Sequence, residues 1–311
     1  MQAGYRLVSF ADDHGKPQGG VLAEGRVISL QDILGPHFRS VMDVLRAWDQ
    51  ANPLIASAAE AKAFADKSKH LSEVKLLAPV LYPGAFFCAG ANYWDHLEEM
   101  SEIAKRTTGK APSMVKAPEP WFFMKTTAGS IIGDGTPARL PNFSRQVDWE
   151  AELGAVIARQ TRNISEKDAL SAVAGYLIVN DLSARDLMRR ENSPFVYDWI
   201  GQKCFEDGAP IGPWLTPAAY VKDPNNLAIK LWVNGVLKQD SNTGKMVHNT
   251  AEQIAYLSRH VTLQPGDIIA TGTPAGVGLP RGEFLKAGDE VKIEIDELGT
   301  LVNRMVADDA A

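Results

Sequence analysis

The chain has 311 residues, 45% of them hydrophobic, and a formal net charge of −6. That length allows one large core, or one large and one small domain. The acidic balance offers no basic surplus for a phosphate backbone, so we expect no nucleic-acid partner. With no secretory signal and no apolar run long enough for a membrane span, we expect a cytoplasmic protein without membrane contacts. Two cysteines, Cys88 and Cys204, predict no disulfide framework.

The N-terminal part predicts a small unit of strands and helices. The runs YRLVSF and VLAEGRVISL flank a turn-rich stretch and indicate a strand–turn–strand pair. Apolar periodicity predicts helices at residues 38–52 and 57–72. The run EVKLLAPVLYPGAFFCAG contains two prolines and is typical of extended chain. We therefore predict a small α/β domain at residues 1–76 and a larger domain at 77–311.

The larger part is predicted to be mostly β-structure. Short β-type runs bounded by Gly, Pro, Asn or Asp are AELGAVIAR, VAGYLIVND, LAIKLWVNGVLKQ, DIIATGT and DEVKIEIDELGTLVNRMV. The pair Asn234–Gly235 between apolar residues predicts a hairpin. Helical patterns are few, at residues 94–107, 165–173, 184–192 and 250–258. This pattern favours a strand-rich α+β fold over regular strand–helix alternation. Residues 107–120, with three prolines, form a loop of the length that lids often have.

A row of acids, Asp148, Glu150 and Glu152, alternates with apolar residues in DWEAEL. On a strand, alternate residues point to one face, about 7 Å apart along the chain. Such a face is most often solvated, but like charges repel, and Asp and Glu are poor strand formers. A divalent cation would convert this repulsion into binding.

Asp181 ends the apolar run VAGYLIVND and is a third candidate ligand. On its own it is more typical of a helix N-cap. Together with Glu150 and Glu152 it would complete an all-oxygen site, which favours Mg²⁺, Mn²⁺ or Ca²⁺ over zinc or copper. The sequence has no phosphate loop and no GxGxxG, GxSxG or HExxH pattern, so nucleotide, serine-hydrolase and zinc-protease chemistry lacks its usual support.

The stretch CAGANYWDHLEEM contains a candidate acid–base pair. His96 and Glu99 are three residues apart, which makes them neighbours on a helix face. A carboxylate beside an imidazole fixes its tautomer and raises its basicity, as a general base requires. The same spacing is common in surface pairs, so the pair alone does not define a site.

Seven motifs in a fixed order make the chain resemble the fumarylacetoacetate hydrolase family over nearly all of residues 70–306. The motifs are GANYWDHLEE, FFMKTTAGSIIG, DWEAELGAVIAR, VNDLSARD, GQKCFEDGAPIGPW, VNGVLKQDSNT and GDIIATGTPAGVG. The resemblance implies a rolled β-sandwich, commonly assembled as a homodimer. It also implies a metal, usually Mg²⁺ with Mn²⁺ or Ca²⁺ also accepted, bound by Glu150, Glu152 and Asp181.

The resemblance implies further site residues. His96 and Glu99 match the family's catalytic dyad, and Lys203 matches a lysine expected to face developing negative charge. The residues expected to contact the substrate are Tyr93, Lys125, Arg185 and Thr273. Tyr93 has the alternative role of anchoring its helix. Asp148 is not implied as a ligand, and we expect it at the rim or hydrogen-bonded in support of the ligands.

The implied activity is a metal-dependent hydrolase that cleaves a C–C bond in a 2,4-dioxo acid such as an acylpyruvate. The cation would stabilise an enolate, and His96 would activate a water. Oxaloacetate decarboxylation, keto–enol tautomerisation and isomerisation or hydration of 2-oxo-dienoates need the same enolate and are alternatives. A non-catalytic, metal-stabilised binding protein ranks lower. Met188, where many members have Gln, and the unusual segment 205–210 put the common acylpyruvate substrates in question.

Overall fold

The computed structural model describes residues 4–60, 67–111 and 114–308, and strands dominate them. The strands are β1 (Arg6–Ala11), β2 (Pro17–Ala23), β3 (Arg26–Ser29), β4 (Lys69–His70), β5 (Leu76–Leu77), β6 (Phe86–Gly90), β7 (Trp121–Met124), β8 (Ile131–Ile132), β9 (Ala138–Leu140), β10 (Val147–Asp148), β11 (Ala151–Ile157), β12 (Val173–Asn180), β13 (Ser183–Ala184), β14 (Ala209–Pro217), β15 (Ala228–Val233), β16 (Val236–Asn242), β17 (Ile268–Ala270), β18 (Glu290–Ile295) and β19 (Gly299–Ala307). The helices are α1 (Leu30–Leu34), α2 (Val41–Arg46), α3 (Trp48–Glu60), α4 (Trp94–Thr108), α5 (Glu166–Ala169), α6 (Trp199–Lys203) and α7 (Thr250–His260).

The described strands form two large sheets and one short ladder. The larger sheet runs β4-β3-β2-β1-β14-β12-β11-β17-β6-β7, with β5 paired to β1 and β8 to β14. The smaller sheet runs β16-β15-β18-β19-β9, and β10 pairs with β13. The predicted strand-rich α+β fold is confirmed.

The central strands β11 and β12 are buried along their whole length. Their near-continuous apolar sequences are typical of strands covered on both faces. Alternate residues enter two different cores, as strand geometry requires. Leu153 and Ile178 pack into one cluster, whereas Val156 and Val179 pack into the other. The polar residues at the ends of this strand pair are therefore held on a rigid support.

The N-terminal strands continue the larger sheet. β1 pairs with β2 and also with β14, where Leu7 lies opposite Leu215. The sheet thus crosses the boundary that we predicted near residue 76. The division into domains at 1–76 and 77–311 stays a prediction.

The second N-terminal helix differs from its prediction. The sequence predicted a helix at 57–72, but α3 already begins at Trp48, and β4 and a 3₁₀ turn (Leu71–Glu73) occupy the end of that range. Residues 61–66 lie outside the described part. Pro53 lies inside α3, where its missing N–H weakens the helix. Burial of Trp48 and Ile55 explains why the helix forms in spite of the proline.

The helix predicted at 184–192 is wrong. Ser183 and Ala184 form β13, which pairs with β10, and Arg185–Leu187 is one 3₁₀ turn. Tertiary pairing overrides the local helical pattern there. The helices predicted at 94–107 and 250–258 are confirmed as α4 and α7 within two residues. The predicted hairpin turn is also confirmed, because Asn234 and Gly235 have φ of 52° and 75°.

Cys88 and Cys204 are both free thiols. None of the described helices has the length and apolarity that a bilayer crossing needs.

Candidate active site

Three buried carboxylates meet at one end of the β11–β12 pair. Oxygen atoms of Glu150, Glu152 and Asp181 lie within 4.8 Å of one another. The antiparallel register places Ala151 opposite Asn180, so the start of β11 lies next to the residue that follows β12. Backbone geometry thus brings together the three ligands that the sequence suggested.

Asp148 belongs to a different strand from Glu152, because β10 ends at Asp148 and β11 starts at Ala151. The carboxylate of Asp148 is fully buried and accepts hydrogen bonds from the backbone N–H groups of Gly278 (2.6 Å) and Leu279 (3.0 Å). It also accepts one from Arg185 Nε at 2.9 Å. Asp148 is therefore not at the rim; it supports an arginine that contacts a candidate ligand.

Three cationic side chains surround the carboxylates. Lys203 Nζ donates to Glu150 Oε2 at 2.9 Å and to Asp181 Oδ2 at 2.7 Å. Lys125 Nζ donates to Asp181 Oδ1 at 2.6 Å, and Arg185 Nη2 donates to Glu150 Oε1 at 2.5 Å. Both Glu150 and Asp181 are thereby paired on each oxygen.

These pairs fix the charge states of the partners. Burial raises the pKa of Glu150, but the charges of Lys203 and Arg185 more than offset burial and leave the pKa of Glu150 below its usual value. Burial lowers the pKa of Lys203, but Asp181 and Glu150 reverse this and leave the pKa of Lys203 above its usual value. The lysine stays protonated and Glu150 stays ionised at neutral pH.

Glu152 is different, because no salt bridge reaches it from the described residues. Its carboxylate accepts a hydrogen bond from Gly272 N–H at 2.8 Å. Burial, followed by the charges of Asp181 and Glu150, raises the pKa of Glu152 well above its usual value. A divalent cation among the three carboxylates would supply the missing positive charge, so the donor set fits such an ion.

His96 and Glu99 lie on α4 beside this cluster. The distance from His96 Nδ1 to Glu99 Oε2 is 3.3 Å, and Glu99 also accepts from Gly276 N–H at 3.2 Å. A proton on Nδ1 that donates to Glu99 leaves Nε2 as the ring nitrogen available to a ligand. The predicted dyad is thus formed, and it is anchored to the chain after β17.

A cavity of about 510 Å³ opens above the carboxylates. The predicted site residues that line it are His96, Glu150, Glu152, Arg185, Lys203 and Thr273. Thr273 Oγ1 donates to Ala151 O at 2.9 Å, so its hydroxyl is already engaged. Tyr93 and Lys125 are buried and lie outside the described lining. The roles of all these residues stay predictions.

Several lining residues were not predicted from the sequence. They are Trp121, Phe123, Tyr197, Trp199 and Gln202. Gln202 directly precedes Lys203, is 2% exposed, and its Oε1 has no hydrogen-bond partner in the described structure. Its place in the motif GQKCFED was the available signal. The aromatic residues come from two segments far apart in sequence, so no local pattern indicated them.

The segment predicted as a loop is shorter than expected, because α4 extends to Thr108. Residues 112–113 lie outside the described part. After these residues, two ion pairs connect the segment to α7. Lys116 pairs with Glu252 at 2.5 Å and Glu119 pairs with Arg259 at 3.0 Å, where Glu252 and Arg259 are the residues on α7. The lid role of this segment stays a prediction.

The comparisons with known proteins all indicate one protein family. The family profile described as fumarylacetoacetate (FAA) hydrolase C-terminal matches residues 85–306. The mitochondrial oxaloacetate tautomerase fahd2 of Xenopus laevis is 43% identical over 252 residues, which is 79% of this chain and 74% of that protein. Maleylpyruvate hydrolase from Sphingobium sp. SYK-6, solved with manganese(II) and pyruvate, has a TM-score of 0.75 and 29% identity, covering 97% of this chain and 99% of that chain. A 2-hydroxyhepta-2,4-diene-1,7-dioate isomerase from Mycobacterium marinum has a TM-score of 0.71 and 29% identity, covering 98% and 99%.

The predicted cytoplasmic location is wrong on this comparison, because the tautomerase relative is a mitochondrial protein. The prediction depended on the absence of a secretory signal and a membrane span, and neither feature separates the cytoplasm from the interior of an organelle. Assembly as a homodimer and the choice of Mg²⁺ over other divalent ions stay predictions.

Proposed function

Because this chain belongs to the fumarylacetoacetate hydrolase family, we propose that it is a metal-dependent tautomerase that interconverts the keto and enol forms of a small 2-oxo acid, with oxaloacetate as the first candidate. The observation that carries the proposal is one cavity lined by His96, Glu150 and Glu152. Asp181 completes the cluster of buried carboxylates beside it, and Glu99 contacts His96 Nδ1. The relative named as an oxaloacetate tautomerase supports this choice over the hydrolase that the sequence first suggested.

The carboxylates would hold the metal. A divalent cation bound by Glu150, Glu152 and Asp181 would polarise the C2 carbonyl of the substrate and stabilise negative charge on its oxygen. Lys203 and Arg185 keep Glu150 ionised through their hydrogen bonds, so this ligand is ready for a cation at neutral pH.

His96 would move the proton. Its Nε2 would take a proton from C3 of the keto acid, while Glu99 stabilises the resulting imidazolium through Nδ1. The same proton would then pass from Nε2 to the oxygen on C2, which gives the enol. The reaction breaks no bond between carbon atoms and consumes no water, so it needs no further group.

Hydrolysis of a 2,4-dioxo acid is the second candidate. The structural likeness to maleylpyruvate hydrolase favours it. In that reaction His96 would take the proton from a water molecule, which would attack the distal carbonyl. The two candidates use the same residues and differ in their products.

The test is a product analysis with the metal-loaded protein. Oxaloacetate enol is mixed with protein and Mn²⁺, its decay is followed by ultraviolet absorbance, and products are identified by NMR. We expect faster ketonisation that a chelator abolishes. Pyruvate and CO₂ from oxaloacetate would indicate a decarboxylase instead, and pyruvate with a second acid from an acylpyruvate would indicate the hydrolase. Mn²⁺ binding without turnover of any of these acids would favour a binding protein.

His96→Ala tests the proposed base. We expect turnover to fall by about 10²–10⁴-fold, the range for losing a general base, with Mn²⁺ affinity retained. His37→Ala is the matched control, because His37 is exposed and lies outside the cavity lining. Wild-type turnover in His96→Ala would remove His96 from the mechanism.

A further inference from the structure

One wall of the candidate site is aromatic. The rings of Trp121, Phe123, Tyr197 and Trp199 all line the cavity that Glu150 and Glu152 also line. Trp199 is at their centre, with ring centroids 4.5 Å from Trp121, 5.6 Å from Tyr197 and 6.0 Å from Phe123. Tyr197 and Phe123 are nearly parallel to Trp199, with interplanar angles of 16° and 17°. The lining of this cavity thus combines four aromatic rings with charged side chains.

These rings keep a large apolar area uncovered. Trp121 is 46% exposed and Tyr197 is 49% exposed in the described chain. Exposed aromatic area of this kind is enriched where a ligand binds. The backbone makes room for Trp121, because a Cβ added at Gly90 would lie 2.4 Å from its indole ring. Gly90 also lines the cavity, so the position of this indole depends on a residue without a side chain.

The two cationic side chains that line the same cavity already form salt bridges with buried carboxylates. Arg185 pairs with Asp148 and Glu150, and Lys203 pairs with Glu150 and Asp181. Among the described lining residues no other Lys or Arg is present. A substrate with a second carboxylate would therefore meet aromatic rings in place of a free positive charge. Arg189 lies beside this wall but outside the described lining; it is exposed, and its guanidinium lies 5.3 Å from the centroid of Tyr197.

We propose that the preferred substrate is a 2-oxo acid whose C3 carries a planar aryl ring, so that oxaloacetate, the first candidate above, is the weaker of the two substrates. This inference rests on the proposed tautomerase function and names its substrate class. The carboxylate and keto groups of the substrate would lie at the end of the cavity near Glu150 and Glu152. Its aryl ring would lie against Trp121, Tyr197 and Trp199. The enol of an arylpyruvate is planar and conjugated with its ring, so its shape fits this wall. Its formation moves one proton from C3 to the oxygen on C2.

The experiment measures binding and turnover with two probes. Dissociation constants of phenylpyruvate and oxaloacetate are measured by calorimetry on the Mn²⁺-loaded protein, together with their rates of tautomerisation. We expect phenylpyruvate to bind about tenfold tighter, since aromatic contacts add to the area that it buries. Trp121→Leu and Tyr197→Leu should each weaken phenylpyruvate binding about five- to tenfold and change oxaloacetate binding less than about twofold. Phe143→Leu is the matched control, because Phe143 is an exposed aromatic residue outside the cavity lining.

The outcomes separate this inference from the proposed function. Tighter binding of oxaloacetate, with a loss in Arg189→Gln and none in Trp121→Leu, would overturn the substrate class and leave the tautomerase intact. Equal binding of both acids, unchanged in both wall variants, would also overturn it. If neither acid is tautomerised, the proposed function fails, while wall-dependent binding of phenylpyruvate would still support the aromatic specificity.

Discussion

Two ion pairs link Asp148 to Glu150 through Arg185. Asp148 orients the guanidinium of Arg185, which in turn contacts Glu150. Burial raises the pKa of Asp148, and the charge of Arg185 offsets only part of this effect. The backbone N–H groups of Gly278 and Leu279 hold the carboxylate in place. The hydrogen bond to Asp148 thus orients the guanidinium of Arg185 so that its Nη2 donates to Glu150 Oε1. A buried acid next to the candidate ligands is explained by positioning, without a direct contact to a metal.

Glu152→Gln tests the metal site at the residue scale. The amide keeps the size of the side chain and an oxygen for Gly272 N–H, but it removes one of three buried like charges. We expect Mn²⁺ affinity to fall more than about 100-fold, since even residues that only orient ligands contribute 10–100-fold. Without metal, the variant should unfold at a higher temperature than the wild type, because the amide avoids the cost of burying a carboxylate and the repulsion by Asp181 and Glu150. Thermal unfolding with and without Mn²⁺ measures both effects.

Glu98→Gln is the control for this prediction, because Glu98 is exposed on α4. It should change neither the Mn²⁺ affinity nor the unfolding temperature. A metal-free Glu152→Gln protein that unfolds below the wild type would contradict this account of burial and repulsion. Unchanged Mn²⁺ affinity would remove Glu152 from the ligand set.

The candidate ligands could be predicted from the sequence because a short motif carries two of them. Glu150 and Glu152 are separated by one residue at the start of β11, and Asp181 directly follows β12, which pairs with β11. The family resemblance is confirmed, whereas the ligand roles that it implied stay predictions. The link from Asp148 to Arg185 was not predictable, since it joins residues 37 positions apart through a tertiary contact. The same limit applies to the wall of Trp121 and Trp199.

At the scale of the element, α4 is held by side-chain contacts more than by its own cap. Its N-cap residue, Tyr93, makes no side-chain capping hydrogen bond. Asp95 instead accepts from Ser241 Oγ at 2.5 Å, Ala275 N–H at 3.3 Å and Lys245 Nζ at 3.3 Å. These bonds set the direction of the helix, and with it the position of His96 above the carboxylates.

Asp95→Asn therefore tests whether the docking of α4 matters for catalysis. The amide weakens the bonds to Lys245 and Ser241 without touching the cavity lining. We expect kcat to fall about 10–100-fold, because a small displacement of a catalytic group has effects of that size. KM and Mn²⁺ affinity should stay close to wild type. Steady-state kinetics with calorimetry measure these quantities.

Glu102→Gln is the matched control on the same helix, since Glu102 is exposed and pairs only weakly with Arg106 at 3.5 Å. It should leave kcat unchanged. An equal loss of kcat in both variants, or no loss in Asp95→Asn, would show that the contacts of Asp95 do not position His96.

The elements predicted well are those with strong local signals, and the failures have tertiary causes. The periodicity of α7 is reinforced by its capping box, in which Asn249 and Glu252 bond each other's backbone. By contrast, the helical pattern after Ser183 loses to the pairing of β13 with β10. Competition between a local pattern and a distant strand cannot be resolved from the local residues alone.

At the scale of the whole molecule, one hydrophobic cluster joins the N-terminal strands to the centre of the larger sheet. Tyr5, Leu7 and Val21 share this cluster with Leu177 and Ile268. The prediction of a boundary near residue 76 came from the prolines and extended chain that follow the N-terminal unit. Sheet continuity depends on the long-range pairing of β1 with β14, which leaves no signal in composition.

We therefore expect residues 77–311 to be unable to fold alone. Removing residues 1–76 would strip β1 from β14, expose its unpaired backbone groups, and uncover Leu215 and Leu177, which are fully buried in the intact chain. The shortened chain should aggregate or remain partly unfolded by circular dichroism and size-exclusion chromatography.

A chain that starts at Gly4 keeps β1 whole and is the control. Co-expression of residues 1–76 as a separate chain should restore soluble protein, because the missing strand and its apolar face are supplied again. If residues 77–311 instead fold cooperatively and bind Mn²⁺ as tightly as the full chain, the shared cluster is not needed for folding. The boundary near residue 76 would then separate an autonomous domain from an N-terminal addition, and the support of the candidate site would lie wholly within the strands from β6 onward.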